Sequence, residues 1–208
     1  MGAFGVRKRW LLLAVAMLLA LGSLIGVGAV MRAPAEDPGS AAVEIGGPFR
    51  LTDQHGKRVA AKDFEGQWML VYFGYTFCPD VCPMTLTNMT QALDELPDEI
   101  AGRIVPVFIT VDPKRDTVEQ LAEYAPLFHD RLVALTGTDA EVKAATRAYR
   151  VYFAKADANA GAEDYMMDHS GFIYLMGPDG RYRAHFSHTT PVDQLVRRLE
   201  QEVGGEVS

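Results

Sequence analysis

Two continuous apolar runs, helix signatures placed between and after them, and a late antiparallel pair followed by a helix predict an α/β fold of the thioredoxin type. The first run, "WMLVYFGY" (68–75), is apolar and rich in β-formers, as a strand buried on both faces must be. The second, "RIVPVFITV" (103–111), reads the same way, with Pro106 marking a bulge. Late in the chain, "GFIYLM" (171–176) and "RYRAHF" (181–186) are joined through "GPDG", a turn sequence, and so pair antiparallel.

The remaining elements follow in order. "PFRLTDQHGKRVA" (48–60) predicts an N-terminal β-hairpin turning at Gly56. After it, "PMTLTNMTQALDEL" sets Leu86, Met89 and Leu93 at helical spacing; Pro83 suits the first helical position and makes Cys82 the cap. "DTVEQLAEYAPLF" (116–128) predicts a helix capped by Asp116, with Glu119 completing a capping box. "RLVALTG" is a short strand, and "TDAEVKAATRAY" a helix with the same box, from Thr138 and Glu141. "RVYFAK" adds a strand, and "TPVDQLVRRLEQEV" closes the chain with Thr190 as cap and Pro191 at the first helical position. The N-terminal hairpin and one additional central helix elaborate the basic fold.

The chain has 208 residues, 49% of them hydrophobic, which suits one domain with a sizeable core. Net charge is −7; without Arg7, Lys8 and Arg9, 17 basic residues face 27 acidic ones. A body that acidic does not match nucleic acid, which selects clustered Lys and Arg. After the basic cluster, Trp10 to Met31 carries no charge. As a helix that run is roughly 33 Å long, enough to cross a bilayer core of about 30 Å. The expected organisation is a cytoplasmic basic tail (1–9), a transmembrane anchor (10–31), a Pro/Ala/Gly-rich flexible linker (32–43) and an exported domain (44–208). Val27-Gly28-Ala29 resembles a cleavage site, so a signal peptide competes, but the apolar run exceeds the usual signal core. The domain thus belongs to an oxidising compartment, where two thiols can form a disulfide or be held ready for metal.

The only cysteines are Cys78 and Cys82, in "GYTFCPDVCP". Both sulfurs fall near a helix N-terminus, where amide groups and the macrodipole favour thiolate. A structural disulfide closing so small a ring would gain little from loop closure. Two readings remain: dithiol–disulfide exchange, and a soft metal site. Two thiolates hold Cu(I) linearly and an imidazole completes a trigonal site, whereas structural zinc calls for four ligands.

His169 is the candidate third ligand among His55, His129, His169, His185 and His188. It sits in "YMMDHSGFIYLM", in the loop before a strand; in thioredoxin-like folds that loop abuts the active-site helix, an inference by fold analogy. Asp168 is expected to orient the imidazole, and Met166 and Met167 to pack in the core rather than to bind metal. "DPKRDT" (112–117) follows a central strand, where Asp112 and Arg115 shape the site or meet a partner. A thioredoxin-like peroxidase does not fit: its threonine stands three residues before the cysteine, where this chain has Tyr75, and Thr76 is only two before.

With these residues assembled, the chain resembles the Sco/SenC family, membrane-anchored copper-delivery proteins of cytochrome c oxidase assembly. The resemblance covers residues 46 to 205 and the anchor, through "GGPFRLTDQHGKRV", "LVYFGYTFCPDVCP", "FITVDPKRDT", "LTGT" and "YMMDHSGFIYLMGPDG". It implies a thioredoxin-like fold and one copper ion per chain, held by Cys78, Cys82 and His169, in an assembly factor rather than an enzyme. It further implies delivery of copper to the binuclear centre of oxidase subunit II, or thiol reduction of that centre. A thiol–disulfide reductase is the alternative; it needs both cysteines and makes no demand on His169. Another periplasmic copper chaperone or a thiol reductant is an expected further partner. The short segment ahead of the anchor fits a bacterial inner membrane, with the domain in the periplasm.

Overall fold

The structure is a computed structural model and describes residues 44–157 and 165–205. The expected tail, anchor and linker lie outside the described residues. Among the described residues, no helix is long and apolar enough to cross a membrane.

From its N-terminal side the domain runs β1 (Arg50–Asp53), β2 (Arg58–Ala60), β3 (Trp68–Gly74), α1 (Val81–Glu95), α2 (Asp98–Ala101), β4 (Ile104–Thr110) and α3 (Val118–Tyr124). It continues with β5 (Val133–Thr136), α4 (Asp139–Ala148), β6 (Phe153–Lys155), β7 (Met167–His169), β8 (Phe172–Met176), β9 (Tyr182–Ser187) and α5 (Val192–Gly204). Seven strands make one sheet in the order β2-β1-β5-β4-β3-β8-β9, while β6 and β7 form a separate two-stranded ribbon. β3, β4 and β5 run parallel, and β8, β9 and β1 are antiparallel to their neighbours.

The hairpin turns where expected, with Gly56 at φ +79°, a region that favours glycine. Asp53 fixes the turn by accepting from the amides of His55 and Lys57 at 2.9 Å each. β3 is buried at all seven positions. Its alternation explains why: the Tyr72 ring meets Phe108 and its hydroxyl reaches Cys82 on α1, while the next residue, Phe73, meets Tyr149 just beyond α4. A strand covered on both faces has no position left for a polar side chain. α1 packs along α5, and Leu86, Met89 and Leu93 of the first and Leu195, Leu199 and Val203 of the second are all buried. Each such side chain contributes roughly 1.5–3 kcal/mol of apolar burial.

Four local expectations are corrected. Pro106 makes no bulge: β4 keeps a continuous register on β3, with Leu70 opposite Pro106. β5 joins only from Val107, so at Pro106 the strand has a ladder partner on one side and tolerates a missing donor. α1 begins at Val81 with Asp80 at the cap position, which makes Pro83 its third residue; the N–H it lacks is one no helix satisfies internally. α5 is preceded by Pro191 as cap, one residue later than expected. The capping box of Thr138 and Glu141 on α4 is present as read.

The fourth correction concerns Asp116. The cap of α3 is Thr117, whose hydroxyl accepts from the Gln120 amide at 3.3 Å. Asp116 is fully buried instead, and accepts from Thr110 Oγ1 (2.5 Å), Thr76 Oγ1 (2.7 Å) and the Thr76 amide (3.1 Å). It tethers the loop that carries the cysteines to the end of β4. Thr117→Ala should therefore lower stability by about 1 kcal/mol in urea unfolding, the usual cap loss. Asp116→Ala strands three donors, that of Thr110 fully buried and the two of Thr76 partly so, and should lose about 3 kcal/mol. Equal losses would mean that Asp116 is no more than a cap.

Candidate metal centre

β3 ends at Gly74, and the space beyond it is already taken. A Cβ there would lie 3.0 Å from Cys82 Sγ, 3.0 Å from the Phe108 ring and 3.1 Å from the Tyr72 ring. The glycine lets the first turn of α1 settle over the strand end. Between the two elements the chain turns through Cys78, whose amide donates to the Tyr75 carbonyl at 3.3 Å. The Cys82 amide then donates to Cys78 Sγ at 3.4 Å. Asp80 makes no side-chain cap, so the Cys78 sulfur takes the acceptor place of a capping oxygen. Neither cysteine is in a disulfide; Cys82 is buried and Cys78 partly so.

His169 reaches this pair from 87 residues further along the chain. It is the last residue of β7, not part of a loop, opposite Phe153 of β6. Its Nε2 lies 3.4 Å from Cys82 Sγ. Its Nδ1 lies 3.2 Å from the Ser170 carbonyl, which accepts only, so Nδ1 carries the proton and Nε2 turns a lone pair to the sulfur. The rings of Tyr72 and Tyr75 stand edge-on to the imidazole at 6.1 and 6.0 Å, and Tyr72 donates to Cys82 Sγ at 3.6 Å.

The two sulfurs are electrically unequal. The Cys82 thiol, the Cys82 and Asp80 amides and the Tyr75 hydroxyl all stabilise the Cys78 thiolate, pulling its pKa down to about 5 against a burial effect. Cys82 moves the other way: its proton is held in the bond to Cys78, and burial disfavours its charge. Burial also lowers the pKa of His169, keeping the ring neutral. At neutral pH the trio is one thiolate, one thiol and one neutral imidazole.

Among the described residues, no group of three or more His, Cys, Asp or Glu side chains is arranged to hold a metal ion as it stands. Cys78 Sγ is engaged with the Cys82 amide, while Cys82 Sγ faces His169.

Other candidates fall into place around this pair. Asp168 is exposed and touches the imidazole only as a nearby charge; the orienting bond belongs to the Ser170 carbonyl. Asp112 is buried and pairs with Arg115 Nε at 2.5 Å. Met167 packs on the core, whereas Met166 is 47% exposed with Sδ 3.8 Å from the Tyr75 hydroxyl. His129 pairs with Asp94, His185 with the Tyr182 hydroxyl, and His188 lies against the Gly171 carbonyl. Sequence reasoning missed Tyr72 and Tyr75 as walls of the site, because within an unbroken apolar run they read as core.

A thioredoxin-like sheet that sets two thiols at a strand–helix junction against one remote histidine defines a class of soft-ligand, redox-capable domains. The chain belongs to the SCO1/SenC family, whose model matches residues 37–204. It is 44% identical over 157 residues to the human mitochondrial Protein SCO1 homolog, covering 74% of this chain and 52% of that protein. With the mitochondrial SCO1 homolog 1 of Arabidopsis thaliana it shares 41% over 168 residues, covering 81% of this chain and 50% of that protein. The chain therefore spans about half the length of these relatives. Its fold is similar to a crystal structure of Arabidopsis thaliana ScoI with copper bound, at TM-score 0.72 and 42% identity, over 77% of this chain and 99% of that one.

The inequality of the sulfurs gives a direct expectation. Iodoacetamide should label Cys78 first, at a rate half-maximal near pH 5 and flat through neutrality, since thiolate persists above that pH and is lost below it. Peptide mapping of the labelled protein reads the result. Earlier labelling of Cys82, or a midpoint near pH 8–9, would contradict the assignment.

Proposed function

We propose that this chain is a membrane-anchored copper chaperone that carries one copper ion on Cys78, Cys82 and His169 for assembly of the binuclear copper centre of cytochrome c oxidase. The observation that carries it is the 3.4 Å approach of His169 Nε2, its lone pair turned to the sulfur, to Cys82 Sγ. Two thiolates and an imidazole are a donor set suited to Cu(I). Cys82 gives up its proton on loading, and Cys78 Sγ turns from the Cys82 amide toward the ion. Metal uptake thus requires the reduced pair, and copper leaves by exchange of these ligands for thiols of the partner. The partner proposed is oxidase subunit II, with another periplasmic copper chaperone or a thiol reductant acting upstream.

In this reading residues 1–9 are cytoplasmic, 10–31 span the inner membrane, 32–43 are a tether and 44–208 are the copper-binding domain in the periplasm. The chain acts as an assembly factor and is not a classical enzyme.

The second reading, a thiol–disulfide reductase that prepares the cysteines of subunit II, is favoured by the Cys78 thiolate beside the Cys82 thiol. Cys78 attacks the partner's disulfide; Cys82 then displaces the mixed disulfide, leaving the partner as two thiols and this pair oxidised. His169 has no part in that exchange.

Anaerobic titration of the reduced chain against a chromogenic Cu(I) chelator separates the readings. One ion per chain is expected, lost in Cys78→Ser or Cys82→Ser and weakened at least about tenfold in His169→Ala. Unchanged affinity in His169→Ala would remove His169 from the site, and absence of Cu(I) binding by the reduced wild-type chain, with disulfide reduction intact, would leave only the reductase.

The pH profile follows from the sulfurs. Near neutral pH, where Cys78 is a thiolate and His169 is neutral, only Cys82 must release a proton, so affinity should fall about tenfold from pH 8 to pH 7. At lower pH Cys78, near pH 5, and His169 also take up protons, and the fall should steepen beyond about tenfold per unit. A profile flat across the range would rule out uptake by displacement of thiol protons.

A further inference from the structure

The loop after β4 grips both halves of the centre. Toward the cysteines, Asp116 accepts from the Thr76 amide and hydroxyl, two residues before Cys78. The Arg115 guanidinium lies 4.7 Å from the centroid of the Phe77 ring and 5.8 Å from that of Tyr75. Toward the histidine, the same guanidinium lies 3.6 Å over the ring of Tyr165, whose hydroxyl donates to Asp112 Oδ1 at 2.7 Å. The other oxygen of Asp112 is taken by Arg115. Lys155 Nζ stands 3.7 Å over the Tyr165 ring. Two cations this close to one centroid cannot share a face, so the ring is held between them.

Tyr165 matters because of what it is attached to. It stands four residues before His169, at the entry to β7, and among the described residues β7 pairs only with β6, in a ribbon outside the main sheet. A two-stranded ribbon alone is marginal in water. The bond from Tyr165 to a buried, charged Asp112 is of the strong kind, and it ties the ribbon to the loop that also holds the cysteine turn. We propose that Tyr165 is the positioning residue for His169: its hydroxyl on Asp112, with its ring between Arg115 and Lys155, keeps the imidazole within reach of Cys82. This rests on the copper reading of the site.

The test is a double-mutant cycle in the full-length chain, read as Cu(I) affinity by chelator competition. Tyr165→Phe removes one hydroxyl and keeps the ring between its cations. It should weaken Cu(I) binding about tenfold in the wild-type background, and leave affinity unchanged when introduced into His169→Ala. Lys155→Met, which takes away one face of the clamp and spares the hydroxyl bond, should give a smaller loss that also vanishes in His169→Ala. It serves where Tyr165→Phe does not fold, and thermal unfolding of the copper-free variants reports that. Wild-type affinity in Tyr165→Phe beside a weakened His169→Ala overturns the positioning role alone. Losses that multiply in full in the double variant overturn it too, since Tyr165 would then act independently of the imidazole. Wild-type affinity in His169→Ala removes the ligand role itself, and this proposal with it.

Discussion

The centre depends on one contact, between a sulfur in the first turn of α1 and an imidazole nitrogen 87 residues later in the chain. Nothing local brings them together. Cys82 is placed by the strand–helix junction and by the bare strand end at Gly74. His169 is placed by a ribbon that is not part of the main sheet. The contact exists because the loop after β4 is fastened to both sides by buried carboxylates, Asp116 to the cysteine turn and Asp112 to Tyr165. Carboxylates suit this work, since each accepts several bonds in fixed directions and is costly to leave unpaired once buried.

Electrostatics and folding meet at the same atoms. The Cys78 sulfur stands where a helix usually has a capping oxygen, so the bond that starts α1 also favours a thiolate. That thiolate in turn holds the proton of Cys82, and the reactive form of one cysteine is inseparable from the quiet form of the other. His169 is held neutral by burial and turned by a backbone carbonyl, so its orientation survives changes in surface charge.

Most of the framework was legible in the sequence because its signals are periodic or punctuated. The unbroken apolar run 68–74 can only be a strand covered on both faces, and the Gly56 turn and the box of Thr138 and Glu141 each satisfy donors that a chain must satisfy somewhere. The cysteine pair and His169 were legible through residue type and family resemblance. What escaped was tertiary. Asp116 has the sequence of a cap, but the pull of Thr76 and Thr110 on its carboxylate passes capping to Thr117. β7 is three residues with no period to detect. Asp168 stands beside His169 in sequence and lost the orienting role to a carbonyl, a group no sequence pattern advertises. Tyr165 carries no motif; its importance comes from neighbours 10 and 53 residues away.

The unequal burial of the two sulfurs gives the junction a front and a back. Cys82 has no exposed surface, walled by Tyr72, Gly74 and His169, while Cys78 opens toward solvent beside a half-exposed Phe77. Any reactant too large to slip past the backbone meets the outer sulfur first and the inner one last. Traffic through the junction is thereby queued in one order on arrival and the reverse on departure, by steric access alone.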